Sequence, residues 1–261
     1  MALLLAACGG THSSGDSHTI VVSSFPVQYV VRQIAGEQVR LHNLARPGVE
    51  PHDLELTSRD IDAIDSAEAV FYIGGGFQPA VAAAAKPRGA HAVDVSAGLL
   101  RRAGDPHFWL DPTLMARAAQ RVAATLHDRT RLAPFAAQLT QLDVDYKAGL
   151  AHCQRHEIVT THASFGYLAA RYGLTESSIS GATPDAEPSP QRIADLSTTI
   201  KRNGISTVFF EPRVPRAAAD TLAHEAGVTT TLLDPFESTD GDYLTVMRAN
   251  LATLRAALGC S

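Results

Sequence analysis

Short apolar runs with strand character alternate along this chain with segments of helical period, and that alternation leaves few folds open. Residues 18–24 read as a buried strand and 26–35 as a helix with proline in its first turn. A strand over 39–45, a helix capped by Thr57 and running to Ser66, a strand over 69–73, a short helix over 77–85 and a strand over 91–95 follow. Two long helical stretches, 112–128 and 134–152, interrupt the series; in the second, Phe135, Leu139, Leu142, Tyr146 and Leu150 recur every three or four residues. The pattern then restarts. Strands over 157–161, 174–179, 206–210 and 229–233 alternate with helices over 165–172, 191–202, 214–226 and 240–258. Alternating strands and helices pack as parallel sheets flanked by helices. The expected class is α/β, with two lobes that each hold a roughly four-stranded parallel sheet, joined by one long linking helix. The expected divisions are a leader remnant and tether over 1–17, an N-terminal lobe over 18–130, the linking helix over 131–155 and a C-terminal lobe over 156–261.

With 45% hydrophobic residues in 261, the chain can bury a core of that size. Its net charge of −5, without a Lys/Arg run, excludes nucleic acid as the expected partner. No apolar stretch reaches the roughly 18–20 residues that span a bilayer. The run Gly74-Gly75-Gly76 lacks the Lys-Ser/Thr of a phosphate loop and the spacing of a dinucleotide turn, so it reads as a tight turn at a strand end.

Chemistry enters where strands end. In open α/β sheets, ligands bind beyond the carboxyl ends of the strands. His162 sits where the 157–161 strand meets a helix; alone, it equally suits a helix cap or a core side chain. Three further residues share such a position: His52 beyond the second strand, His107 beyond the fourth, and Asp234 after the last. Two come from each lobe. Three imidazoles and a carboxylate make a closed four-coordinate set of the kind that suits Zn2+, and imidazole favours late divalent metals over Mg2+ or Ca2+. His12, His18, His42, His91, His127, His152, His156 and His224 lack this placement and read as surface or core residues.

The segments Pro51-His52-Asp53-Leu54-Glu55-Leu56-Thr57, Asp105-Pro106-His107-Phe108-Trp109-Leu110-Asp111-Pro112, Thr161-His162-Ala163-Ser164-Phe165-Gly166-Tyr167 and Leu233-Asp234-Pro235 resemble, in order, the ligand motifs of the zinc/manganese solute-binding proteins of ABC transporters. The resemblance spans nearly the whole folded chain. It implies two α/β lobes on a rigid helix, Zn2+ captured between them outside the cytoplasm, and delivery to an ABC-type membrane permease by a monomer that is not an enzyme. His162 stands where manganese-binding members often carry Glu, which favours zinc over Mn2+. The segment 97–105 lacks the long His-rich loop found in many zinc-specific members. The alternatives are a manganese receptor of the same family, a zinc hydrolase with Asp234 as base, and a surface adhesin holding structural metal; no HExxH motif supports the hydrolase. Glu211, at another strand end, either orients a ligand imidazole or forms a surface salt bridge. Phe108 and Trp109 are expected to wall the site.

Leu5-Ala6-Ala7-Cys8 resembles a bacterial lipobox, which implies lipidation of Cys8, a membrane anchor and an extracytoplasmic or periplasmic location. Only seven residues, without Lys or Arg, precede Cys8, so a start upstream of Met1 or a trimmed sequence is expected. With Cys8 lipidated, Cys153 and Cys260 remain as an even pair in an oxidising compartment, and a disulfide between them is expected.

Overall fold

The computed structural model describes residues 19–47, 51–99, 102–181, 187–212, 215–237 and 241–261. Cys8, His12, His18 and the tether lie outside the described residues. The first sheet holds β1 (Thr19–Val22), β2 (Arg40–Asn43), β3 (Ala69–Tyr72) and β4 (Ala92–Asp94) in the order β2-β1-β3-β4. The second holds β5 (Glu157–Thr160), β6 (Thr175–Ser178), β7 (Thr207–Phe210) and β8 (Thr229–Leu232) in the order β6-β5-β7-β8. Every pairing is parallel. Side-chain chemistry sorts the strands: the central TIVV, AVFY, EIVT and TVFF are buried, while the edges RLHN, TESS and TTTL carry polar residues that tolerate water.

Local signals start and stop the helices. α1 (Phe25–Ala35) has proline in its first turn, and α2 (Ser58–Ser66) opens on a reciprocal capping box between Thr57 and Asp60. α3 (Pro79–Ala85) follows the glycine run, where the Gly74 amide donates to Asp94 Oδ1 and Ser96 Oγ. A Cβ on Gly74 would lie 2.2 Å from Asp94 Oδ2, so this turn needs glycine for close approach. Asp111 caps α4 (Pro112–Thr125), and the 19-residue α5 (Leu132–Leu150) spans about 28 Å at 1.5 Å per residue. α6 (Gly166–Tyr172), α7 (Pro190–Asn203), α8 (Ala217–Ala226) and α9 (Tyr243–Leu258) flank the second sheet.

Each sheet has a smaller core of its own, around Val21, Ile64 and Val70 in the first and around Val159, Leu196 and Val208 in the second, but the largest core is shared. One buried cluster runs from Ile20 and Val22 of β1 through Phe135, Leu142 and Tyr146 of α5 to Phe209 of β7 and Met247 of α9. Polar contacts reinforce it. Tyr146 Oη donates to the Met247 carbonyl at 2.7 Å, and Asp143 on α5 accepts from Arg171 Nε and Nη2 on α6 at 2.9 and 3.0 Å. Tyr29 of α1 donates to Asp242, the cap of α9. α5 is therefore the spine on which both sheets are mounted.

A disulfide joins Cys153, just after α5, to Cys260, just after α9. The loop it closes is 107 residues long. Replacing both cysteines by serine should lower the free energy of unfolding by about 2–5 kcal/mol, because the unfolded chain regains that loop entropy. Denaturant titration under non-reducing conditions measures it, and equal midpoints would show that the bridge adds nothing.

Candidate metal centre

Strand register explains why the second lobe presents what it does. Thr160 of β5 pairs with Phe209 of β7, so the residues just past both strand ends face one another. These are Thr161 and His162 on one side and Glu211 on the other. The strand order reverses at this pair, which opens a crevice at the carboxyl edge. Glu211 is 2% exposed. Its Oε1 accepts from Thr161 Oγ1 at 2.8 Å and from the His162 amide at 3.2 Å, and its Oε2 lies 2.6 Å from His162 Nδ1. Behind them Glu176 accepts from Thr160 Oγ1 and the Phe165 amide, both at 2.9 Å, and so holds the 160–165 turn. Glu211 is thus buried against the imidazole, and the surface salt bridge is excluded.

The first lobe brings two imidazoles. His52 lies in a short 3-10 turn, Pro51–Asp53. His107 precedes the 3-10 turn Phe108–Leu110 and is fully buried. Asp105 Oδ1 accepts the His107 amide at 3.0 Å and contacts His107 Nδ1 at 2.8 Å, while Arg102 Nε donates to Asp105 Oδ2 at 3.2 Å. This loop lies against the start of α6: a Cβ on Gly166 would come within 2.6 Å of Arg102 Nε and Asp105 Oδ2. Glycine there lets the lobes touch.

The fourth group departs from expectation. His52, His107 and His162 converge with Glu237, one donor atom from each lying within 4.8 Å of the others. Asp234 is not in this group. Its Oδ1 accepts the Phe236 amide at 2.7 Å, an Asx turn that bends the chain just after β8. Asp234 gives one carboxylate oxygen to the turn, while Glu237, three positions on, carries its carboxylate to the imidazoles. Sequence reasoning passed over Glu237 because it stopped at the first acid after the strand. It also passed over Asp105, whose position two residues before His107 was the available signal.

Glu237 Oε1 lies 2.8 Å from His107 Nε2 and 3.2 Å from His52 Nε2, and Oε2 lies 3.5 Å from His162 Nε2. Burial opposes the ionised carboxylate, yet His107, His52 and His162 together hold it well below the usual carboxylate range. Burial likewise opposes protonation of His107, but Glu237 and Asp105 push it up to about 10. His162 is raised as well: burial lowers it, while Glu211 and Glu237 raise it by more. Burial raises Asp234, the Phe236 amide opposes this, and the charges of Glu211 and Glu237 add to the rise.

The donor chemistry fits a late divalent cation. His107 and His162 both turn Nδ1 toward a carboxylate, which leaves Nε2 as the ligating nitrogen. His162 Nε2 is buried and its nearest carboxylate oxygen, Glu237 Oε2, lies 3.5 Å away, too far for a good hydrogen bond. Trp109 walls the site. It is fully buried, its ring centroid lies 5.1 Å from that of His107, and its Nε1 donates to the Pro235 carbonyl at 2.7 Å.

Fold and site define a two-lobed α/β binding protein with a buried three-histidine, one-carboxylate donor set where the lobes meet. The family model described as "Zinc-uptake complex component A periplasmic" matches residues 20–257, and the chain belongs to that family of solute-binding receptors. The high-affinity zinc uptake system protein ZnuA of Bacillus subtilis is 30% identical, with 98% of this chain and 94% of that protein covered. The zinc-binding protein AdcA of Streptococcus pyogenes serotype M1 is 32% identical over 90% of this chain, which spans only 55% of that protein. Among solved structures, the laminin-binding protein of Streptococcus agalactiae superposes with a TM-score of 0.86 at 27% identity, covering 92% of this chain and 99% of that one. The Zn(II)-bound ZnuA-like domain of Streptococcus pneumoniae AdcA superposes with a TM-score of 0.80 at 30% identity, covering 92% and 98%.

The titrations set a pH dependence for the metal-free protein. His107 has a folded pKa of about 10 against an ordinary 6.5, so the stability it adds is full below about 6.5 and is lost as pH rises through about 10. Glu237, held low, adds stability above its ordinary 4.5 that is lost as pH falls through its depressed value. Both describe the same ion pair. Melting temperatures of chelator-treated protein should therefore fall between neutral and alkaline pH, and the decline should flatten in Glu237→Gln; an unchanged decline would break the link.

Proposed function

We propose that this protein captures Zn2+ outside the cytoplasm and hands it to an ABC-type permease. The observation that carries the reading is the convergence of three Nε2 atoms on the Glu237 carboxylate, with the far nitrogens of two imidazoles already held by Asp105 and Glu211. His52, His107, His162 and Glu237 are the proposed ligands, and Glu237 takes the place expected of Asp234. Four converging donors leave no open position for a reacting water, which favours binding over hydrolysis. Three imidazoles favour zinc over manganese.

His52 is the way in. Its side chain is 12% exposed, while those of the other three range from 0 to 5%. The ion meets His52 first, then exchanges its water for the deeper donors. Because two ligands come from each lobe, a permease that strains the lobes apart splits the site and releases the ion. The proposed units are those expected from the sequence: a tether over 1–17 anchored through Cys8, lobes over 18–130 and 156–261, and the linking helix over 131–155. No helix among the described residues is long and apolar enough to cross a membrane.

One equivalent of zinc should raise the melting temperature, and Glu237→Gln or His107→Ala should weaken binding by at least about 100-fold, beyond the loss typical of an outer partner. Competition against a coloured zinc chelator measures this; full affinity in both variants would refute the ligand set. Binding near neutral pH should also release protons, since ligating imidazoles are neutral and His107 begins protonated. Calorimetry in two buffers of different ionisation enthalpy should give different apparent enthalpies; equal values would refute the exchange.

A further inference from the structure

We propose that Asp234, locked by Asn250, is a positioning residue that sets the reach of Glu237 into the site by holding Phe236 in a left-handed turn. The inference rests on the capture reading above and concerns how its carboxylate ligand is aimed.

Phe236 has φ 59°, a region that L side chains rarely adopt. Left-handed backbone strains a residue with a Cβ, and glycine is the usual occupant. An aromatic residue persists there only where its surroundings over-determine it. Here they do. The Phe236 amide donates to Asp234 Oδ1 at 2.7 Å. The Asp234 amide donates to Asn250 Oδ1 at 3.0 Å, and Asn250 Nδ2 donates to the Asp234 carbonyl at 2.7 Å. Asn250 is 3% exposed and projects from α9. Pro235 offers only a carbonyl, and Trp109 from the first lobe takes it. The Phe236 ring is fully buried, with centroids 5.9 Å from Tyr29 and 5.5 Å from Tyr243.

The Asp234 amide and carbonyl, the Pro235 carbonyl and the Phe236 amide are thus tied to α9, to the first lobe or to Asp234, and Glu237 is the next residue. Without the Asp234 acceptor, Phe236 has reason to relax to negative φ. That rotation swings the following residue away from the three imidazoles, two of which are held independently by Asp105 and Glu211. The buried Asn250 is otherwise unexplained, since an amide inside a helix–sheet interface is retained only where it is hydrogen-bonded.

The test measures zinc affinity for the full chain by chelator competition in wild type, Asp234→Ala, Asp234→Asn, Glu237→Gln and the double variant Asp234→Ala/Glu237→Gln. Asp234→Ala should weaken zinc binding about 10- to 100-fold, the scale of losing an outer partner. Asp234→Asn keeps an oxygen acceptor and should recover most of that loss. In the Glu237→Gln background, Asp234→Ala should have little further effect, because its route to the metal is already cut. A general weakening of the fold would instead add equally in both backgrounds and would overturn the proposal. So would Asp234→Asn falling as far as Glu237→Gln, which would make Asp234 a ligand. If wild type binds no zinc, or Glu237→Gln binds as wild type does, the capture reading itself fails. If those two behave as expected and Asp234→Ala binds normally, only the positioning role fails.

Discussion

A carboxylate sealed from water stays ionised only where positive charge or hydrogen-bond donors surround it, and Glu237 has three imidazoles around it. Much else in the structure follows from keeping that arrangement together. The imidazoles come from three separate loops and the carboxylate from a fourth, so the strand ends must converge and the lobes must face each other closely. The buried charge pushes His107 up to about 10 and raises His162 as well. Under the proposed capture of zinc, a divalent ion supplies positive charge at the same centre, and binding exchanges protons for metal.

The way the lobes are joined bears on how such a site opens. A hinge between independent domains would swing widely, but here one apolar cluster crosses from β1 to α9. Tyr29–Asp242, Trp109–Pro235 and Arg171–Asp143 lie across the same junction or brace it from α5. Wide separation would break these contacts and expose the shared core.

Much of the fold was legible because it depends on local pattern. Strand and helix positions followed from periodicity, and the capping residue Thr57 marked a helix start that the structure reproduces. The separation into central and edge strands follows the same apolar and polar runs. The cysteine pair was legible from parity and compartment. Shared packing was not: Tyr146 on Met247 and Tyr29 on Asp242 join residues about a hundred and two hundred positions apart, and no local signal encodes such contacts.

The site divides along the same line. Histidines at strand ends, and the loops that bear them, are local features, so His52, His107 and His162 could be singled out from the chain alone. Which acid joins them is not local. Asp234 and Glu237 lie three residues apart after the same strand, and either has the right chemistry. Only the left-handed turn at Phe236, fixed by Asn250 and by Trp109 from opposite sides, directs one carboxylate to the imidazoles and leaves the other to the backbone. The sequence by itself determined the α/β class, the strand-end histidines and the chemistry they offer. The tertiary structure decided which acid stands beside the imidazoles, because its direction depends on backbone angles that distant side chains impose.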